Sequence, residues 1–302
     1  MKIQDPQMKD QKISNLVKKI NSYERLMRLD KPIGILLLLW PTLWALLIAS
    51  AGKPDWIIVL IFVTGTVLMR SAGCVMNDIA DSQYDGLVER TQYRPLPNKE
   101  VTKKEAYLLA LALSVIAFGL VCLLNVLTIK LSVLALFLAM TYPLTKRFFV
   151  MPQAYLGVAF GFGIPMVFAA VTDAVPAVAW LLLCANVFWA IAYDTEYAMV
   201  DRDDDLKIGI KSSAITFGRF DVIAIMLCYG LTLALLGLAG YLLELSCAYY
   251  VGLGLAAGMA VYHYYLIRAR IRAKCFQAFL GNNWFGFFVF AGLLAHYLMQ
   301  AH

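Results

Sequence analysis

Residues 56–85 read WIIVLIFVTGTVLMRSAGCVMNDIADSQYD, an apolar run that closes on Asn77, Asp78, Asp81 and Asp85. A hydrocarbon layer of ~30 Å is crossed by about 20 helical residues, and positions 56–79 are long enough. The apolar residues are continuous and show no period-two alternation, which selects a membrane helix over a β-barrel strand. If the helix continues to the end of the stretch, Asn77, Asp81 and Asp85 stand at i, i+4 and i+8. Each step turns only about 40°, so three oxygen-bearing groups form one stripe where the helix leaves the membrane.

Eight further apolar runs surround this one. The nine candidate segments are 33–51, 56–79, 106–125, 128–144, 153–171, 177–200, 221–243, 246–267 and 284–300, of which the fourth and ninth are short. The 302-residue chain is 61% hydrophobic and 15% charged, with a mean hydropathy of +0.71; soluble domains are roughly 45–50% apolar and about 25% charged. This excludes a soluble globular enzyme, a disordered chain and a nucleic-acid-binding module, despite a formal net charge of +6. The expected fold is an all-α polytopic bundle of about nine transmembrane helices in two pseudo-repeated halves. It forms one membrane-embedded domain over 1–302, with a cytoplasmic or interfacial segment at 1–30.

Of the 26 Lys and Arg residues, 23 lie in the N-terminal segment or in the stretches 80–105, 145–152, 201–220 and 268–283. The turns between the other segments hold only Lys53 and Lys130. By the positive-inside rule the basic face is cytoplasmic. The N-terminal segment is neither a secretory signal nor a transit peptide. Its Leu16, Leu26 and Leu29 among basic residues suggest a helix lying on the membrane surface.

A second acidic run, Tyr193-Asp194-Thr-Glu196-Tyr197-Ala-Met-Val-Asp201-Arg-Asp203-Asp204-Asp205, ends the sixth segment. Asp201 and Asp205 repeat the stripe spacing, and Asn77/Asp201, Asp81/Asp205 and Arg70/Asp194 are each 124 residues apart. Stacked carboxylates repel, more so near hydrocarbon, and a cation is their natural compensation. Oxygen donors without His or Cys point to Mg²⁺, Mn²⁺ or Ca²⁺. Mg²⁺ takes one or two carboxylates and completes its shell with phosphate and water, so two facing stripes suit a diphosphate. Asp203, Asp204, Glu89 and Glu100 read as solvated end charges. Arg90, Arg94, Lys146, Arg147 and Lys211 are the basic groups able to meet a diphosphate on the same membrane face. Arg70 is intramembrane and therefore functional by default; it either pairs with Asp194 or holds the carboxylate of a small acceptor.

Cys74, Cys122, Cys184, Cys228, Cys247 and Cys275 show no metal or disulfide spacing and read as small core residues. His263, His296 and His302 read as satisfied or interfacial. Gly157, Gly161 and Gly163 suit close helix packing, and Trp40, Trp44 and Trp189 a packing role. Tyr142 and Tyr197 read either as packing or as groups that orient phosphate or shield a cation.

The first acidic run, N-D-x-x-D-x-x-x-D over Asn77 to Asp85, and the second, over Tyr193 to Asp205, together resemble the UbiA superfamily of intramembrane aromatic prenyltransferases. The resemblance extends through Arg28-Leu-Asp-Lys-Pro-Ile-Gly34, Leu39-Trp-Pro-Thr-Leu-Trp44, Arg94-Pro-Leu-Pro97 and Ile208-Gly-Ile-Lys-Ser212. It is closest to the 4-hydroxybenzoate branch of ubiquinone biosynthesis. The resemblance implies a bacterial inner-membrane enzyme that moves a polyprenyl group from polyprenyl diphosphate to the carbon ortho to the acceptor's hydroxyl. It implies Mg²⁺ held by Asn77, Asp81 and either Asp78 or Asp85 on one side, and by Asp201 and Asp205 on the other. Asp81, Asp85, Asp201, Asp205 and Arg147 are then catalytic; Arg70, Arg94, Tyr142, Lys146, Asp194, Tyr197 and Lys211 bind substrate. The alternatives are another aromatic acceptor (a naphthoate, haem or homogentisate) and, in other classes, an ion-coupled transporter or a lipid phosphotransferase.

Overall fold

A computed structural model describes residues 6–82, 91–145, 147–209 and 211–300 of the chain. Its regular elements are all helical among these residues: α1 (Pro6–Met27), α2 (Ile33–Ala49), α3 (Trp56–Asp81), α4 (Lys103–Val121), α5 (Val126–Thr145), α6 (Pro152–Gly161), α7 (Gly163–Thr172), α8 (Ala177–Ile208), α9 (Ser213–Phe217), a 3₁₀ turn (Gly218–Phe220), α10 (Asp221–Leu242), α11 (Cys247–Ile267) and α12 (Arg272–Gln300). Among the described residues, eight helical stretches are long and apolar enough to cross a membrane. The 17-residue α2 is a shorter apolar helix, at the lower end of the spanning range. All nine expected segments are thus helical.

Two elements differ from the sequence expectation. The run 153–171 is broken at Phe162 into α6 and α7. Pro165 has no N–H for the carbonyl of Gly161, so the helix is interrupted one turn before it. The ninth segment is not short: α12 begins at Arg272, where the sequence suggested a basic loop. Asn282 and Asn283 depress the hydropathy there, yet both are paired inside the bundle. Asn282 Oδ1 accepts from Trp189 Nε1 at 2.8 Å, and Asn283 Oδ1 from Trp40 Nε1 at 2.9 Å.

α8 packs against α6, α10 and α12. The buried Trp44 and Trp189 rings lie 5.4 Å apart, and Trp189 stacks on Phe285 at 5.5 Å. The glycine cluster serves close packing, since a Cβ on Gly157 would come within 2.9 Å of Val187 Cα. Behind α8 lies a buried polar network. Glu196 accepts from Tyr229 Oη at 3.0 Å and from Asn282 Nδ2 at 2.8 Å, and His263 Nδ1 lies 2.8 Å from the same phenol. His296 Nδ1 accepts from the backbone N–H of Ser246 at 3.0 Å. His296 is thus satisfied, as expected; His263 is satisfied only at Nδ1, since its buried Nε2 has no hydrogen-bond partner among the described residues, and His302 lies outside the described residues.

α1 is held to the protein on one side. Leu26 is fully buried with Val75, Ile79 and Leu96, while Leu16, Val17, Ile20 and Leu29 stay exposed. Only part of the expected membrane-facing leucine set therefore faces outward. Lys19 Nζ donates to Glu105 at 2.9 Å, and that carboxylate raises the ammonium above its ordinary pKa. Glu105 also closes a capping box on Thr102, the N-cap of α4. Glu100 is more than a solvated end charge, because it accepts from Ser22 at 2.7 Å and pairs with Arg25.

Candidate active site

α3 runs on as far as Asp81, and α8 continues through its acidic stretch to Ile208. Asp55 caps α3 by accepting from the N–H of Ile57 at 2.7 Å. At the far end of α8, Gly209 adopts φ +73 and donates its N–H to the carbonyl of Asp205, a left-handed ending that suits glycine. The i, i+4 spacing is thereby realised as a helical face for Asn77/Asp81 and for Asp201/Asp205.

All four side chains line one cavity of about 1000 Å³. Arg70, Arg94, Tyr142, Asp194, Tyr197 and Lys211 line it as well, so the structure brings these expected site residues together. Asp85 and Lys146 lie outside the described residues, as does Arg90. Arg147 is exposed and is not part of the lining; it donates to the carbonyl of Ala80 at 3.0 Å, beside Asp81. Deeper walls are apolar, with Leu37, Phe62, Phe118, Leu136, Phe160 and Met166 among them. Tyr197 rests on Phe279 at 4.7 Å, and Tyr142 lies 6.1 Å from Phe160.

Arg70 lies over Phe160, with 5.5 Å from Cζ to the ring centroid, within cation–π range. Its guanidinium, Asp194 and Tyr142 are within electrostatic reach of the Tyr193 phenol. Arg70 Nε, Tyr193 Oη and Ser212 Oγ are buried with no hydrogen-bond partner among the described residues, and all three residues line the cavity. Unpaired buried polar atoms are costly and call for a ligand or water.

Asp78 stands apart from the stripe. It is 1% exposed, and both its oxygens accept from Arg28 Nη2 at 2.8 Å, with Arg94 Nη1 3.0 Å from Oδ1. The residue 124 positions later is Arg202, which also enters an Arg–Asp–Arg group: Asp221 accepts from Arg202 at 2.6 Å and from Arg270 at 2.7 Å. Arg28, Arg94 and Asp78 line the cavity; Arg202, Asp221 and Arg270 do not.

Among the described residues no three His, Cys, Asp or Glu side chains converge on a preformed cation cage. Four oxygen donors divided between two walls nevertheless suit Mg²⁺, which keeps water and phosphate in its shell. Arg28, Tyr193, Ser212 and Arg272 also line the cavity and had no role assigned from the sequence. Arg28 and Ser212 fall inside the stretches already quoted for the UbiA resemblance, which was the available signal.

The sequence matches the UbiA prenyltransferase family over residues 38–292. The chain belongs to that family. A 4-hydroxybenzoate octaprenyltransferase of Methylobacillus flagellatus is 64% identical over 281 residues, covering 93% of this chain and 95% of that protein. Another, from Thiobacillus denitrificans, is 63% identical over 286 residues, covering 95% and 98%. The structure of a UbiA homolog from Aeropyrum pernix K1 superposes with a TM-score of 0.76 at 26% identity, covering 87% of this chain and 97% of the other. A UbiA homolog from Archaeoglobus fulgidus, bound to GPP and Mg²⁺, shares the fold with a TM-score of 0.67 at 17% identity, covering 91% and 99%. UbiA membership displaces the transporter and phosphotransferase readings.

Proposed function

We propose that this chain transfers a polyprenyl group from polyprenyl diphosphate to the ring carbon ortho to the hydroxyl of 4-hydroxybenzoate, in ubiquinone biosynthesis. The observation that carries this reading is one cavity joining two acidic stripes, a cluster of cations and an apolar chamber. High identity to 4-hydroxybenzoate octaprenyltransferases supports the acceptor.

The apolar walls take the prenyl tail and exclude water from the reacting carbon. Arg28, Arg94 and Lys211 meet the diphosphate and favour the charge that grows on it as the allylic bond breaks. Asn77 and Asp81 on one wall, and Asp201 and Asp205 on the other, would hold Mg²⁺, which supplies further positive charge to the leaving group. Arg70, with its unpaired Nε, holds the acceptor carboxylate and aims the ring. The attacked carbon then gives up its proton to a basic group in the cavity or to the released diphosphate. The chain sits in the bacterial inner membrane with its basic loops in the cytoplasm.

Purified protein with Mg²⁺, a polyprenyl diphosphate and a mixture of aromatic acids should yield the C-prenylated 4-hydroxybenzoate as the main product by mass spectrometry. Predominant prenylation of another acceptor would reject the acceptor assignment; no prenylated product under any divalent cation would reject the enzyme assignment. Asp81→Ala and Asp201→Ala should each cut turnover by about 10²-fold or more while leaving the protein folded. Near-normal rates in both would remove the stripes from the mechanism.

A further inference from the structure

Each half carries a buried Arg–Asp–Arg group, related at Asp78 and Arg202 by the 124-residue offset, yet only the first opens into the cavity. We propose that Asp78 is a positioning residue which anchors Arg28 and Arg94 on the diphosphate, and that it is not a cation ligand. The proposal rests on the prenyl-transfer reading of the cavity.

The geometry argues against a metal on Asp78. The carboxylate is 1% exposed and faces two guanidinium groups at 2.8 and 3.0 Å. A divalent ion placed there would add two positive charges beside two already present, with one negative charge to offset them. On α3, Asp78 is also rotated about 100° from Asn77, off the face shared with Asp81. As an anchor, by contrast, Asp78 is well placed. Arg28 follows the end of α1, with φ +58, and its Nη1 donates to the carbonyl of Arg25 at 2.6 Å. Arg94 belongs to the turn at 91–99. Neither sits on α3, so a buried anion on that helix brings both to the cavity beside the stripe. The three groups carry a net charge of +1, which leaves the cluster attractive to a diphosphate. Fixing guanidinium groups in advance lowers the ordering cost of binding it.

The Asp221 group supplies the comparison. It has the same composition and an equally buried carboxylate but does not line the cavity, so its loss is expected to weaken the fold without touching substrate affinity. Full-length protein in nanodiscs should be assayed against geranyl diphosphate and against Mg²⁺, separately. Asp78→Asn is expected to raise KM for the diphosphate about tenfold or more and to leave the half-activating Mg²⁺ concentration within about twofold. Asp81→Asn should shift the Mg²⁺ requirement. Asp221→Asn should lower thermal stability with both constants unchanged. An Asp78→Asn enzyme with a raised Mg²⁺ requirement and an unchanged diphosphate KM would overturn the proposal. So would one that loses only folded fraction, as expected for Asp221→Asn.

If Asp78→Asn does not fold, Arg94→Gln carries the test. A raised diphosphate KM at constant Mg²⁺ requirement supports the anchor, and an unchanged KM rejects it. Calorimetric binding of geranyl diphosphate reads the same contrast without turnover. A chain that binds it in an Asp78-dependent way but prenylates no aromatic acid would reject the transfer reading and keep the anchor.

Discussion

Gly34 lies beneath the guanidinium of Arg70, where a Cβ would come within 2.6 Å of Nη2 and 2.7 Å of Nε. Even one methyl group must push that side chain aside, since contacts under 3 Å are not tolerated by packed atoms. Gly34→Ala is therefore expected to raise KM for 4-hydroxybenzoate about tenfold, with little change for the diphosphate. Initial rates over an acceptor titration check this, and an unchanged acceptor KM would detach Arg70 from the acceptor. Arg70 itself was legible in the sequence, because a charge inside an apolar run stands out at once. The role of Gly34 was not, since nothing in its own neighbourhood names a partner 36 residues away. Asp78 shows the same limit more sharply. Beside Asn77 and Asp81 it reads as one more oxygen donor, and only the arrival of Arg28 and Arg94 at its carboxylate separates it from them.

Helices were the most legible level, because each apolar run announces its own length. What the runs conceal is how one helix is fixed against the next. α8 presents Asp194, Tyr197, Asp201 and Asp205 to the cavity, and Glu196 is bound to Tyr229 on α10 and Asn282 on α12. A carboxyl among acidic neighbours gives no sign in the sequence that it points into the bundle. Asn282, which donates to it and accepts from Trp189, is one of the two asparagines that make α12 look short. Glu196→Ala should leave Tyr229 Oη and Asn282 Nδ2 without this acceptor. The expected destabilisation is about 1–3 kcal/mol, read as a lower thermal midpoint in detergent. Glu196→Gln keeps the shape and one acceptor and should lose less. Equal midpoints for both variants and the parent would show that the network adds nothing to the anchoring of α8.

At the scale of the molecule, the charge asymmetry and the cavity agree. Arg28, Arg94, Lys211 and Arg272 line the cavity from the end of the bundle that carries most of the basic residues. The opposite end holds Lys53, Asp55, Lys130, Asp173 and Glu244, a net charge of −1. The proposed orientation, drawn from the positive-inside rule, has the polar mouth in the cytoplasm. That orientation has a chemical consequence: a charged diphosphate headgroup and a charged aromatic acid are presented from the cytoplasmic side, while the prenyl tail stays in hydrocarbon, where each buried CH₂ is favourable by ≈ 0.8 kcal/mol. The orientation is testable with single cysteines in a background lacking the six native ones, three of which are exposed. Asp173→Cys, in the turn after α7, should react with a membrane-impermeant maleimide in intact spheroplasts. Lys99→Cys, in the turn before α4, should react only after permeabilisation. The reverse pattern would turn the cavity mouth to the periplasm, and it would require both charged substrates to cross the bilayer before the reaction.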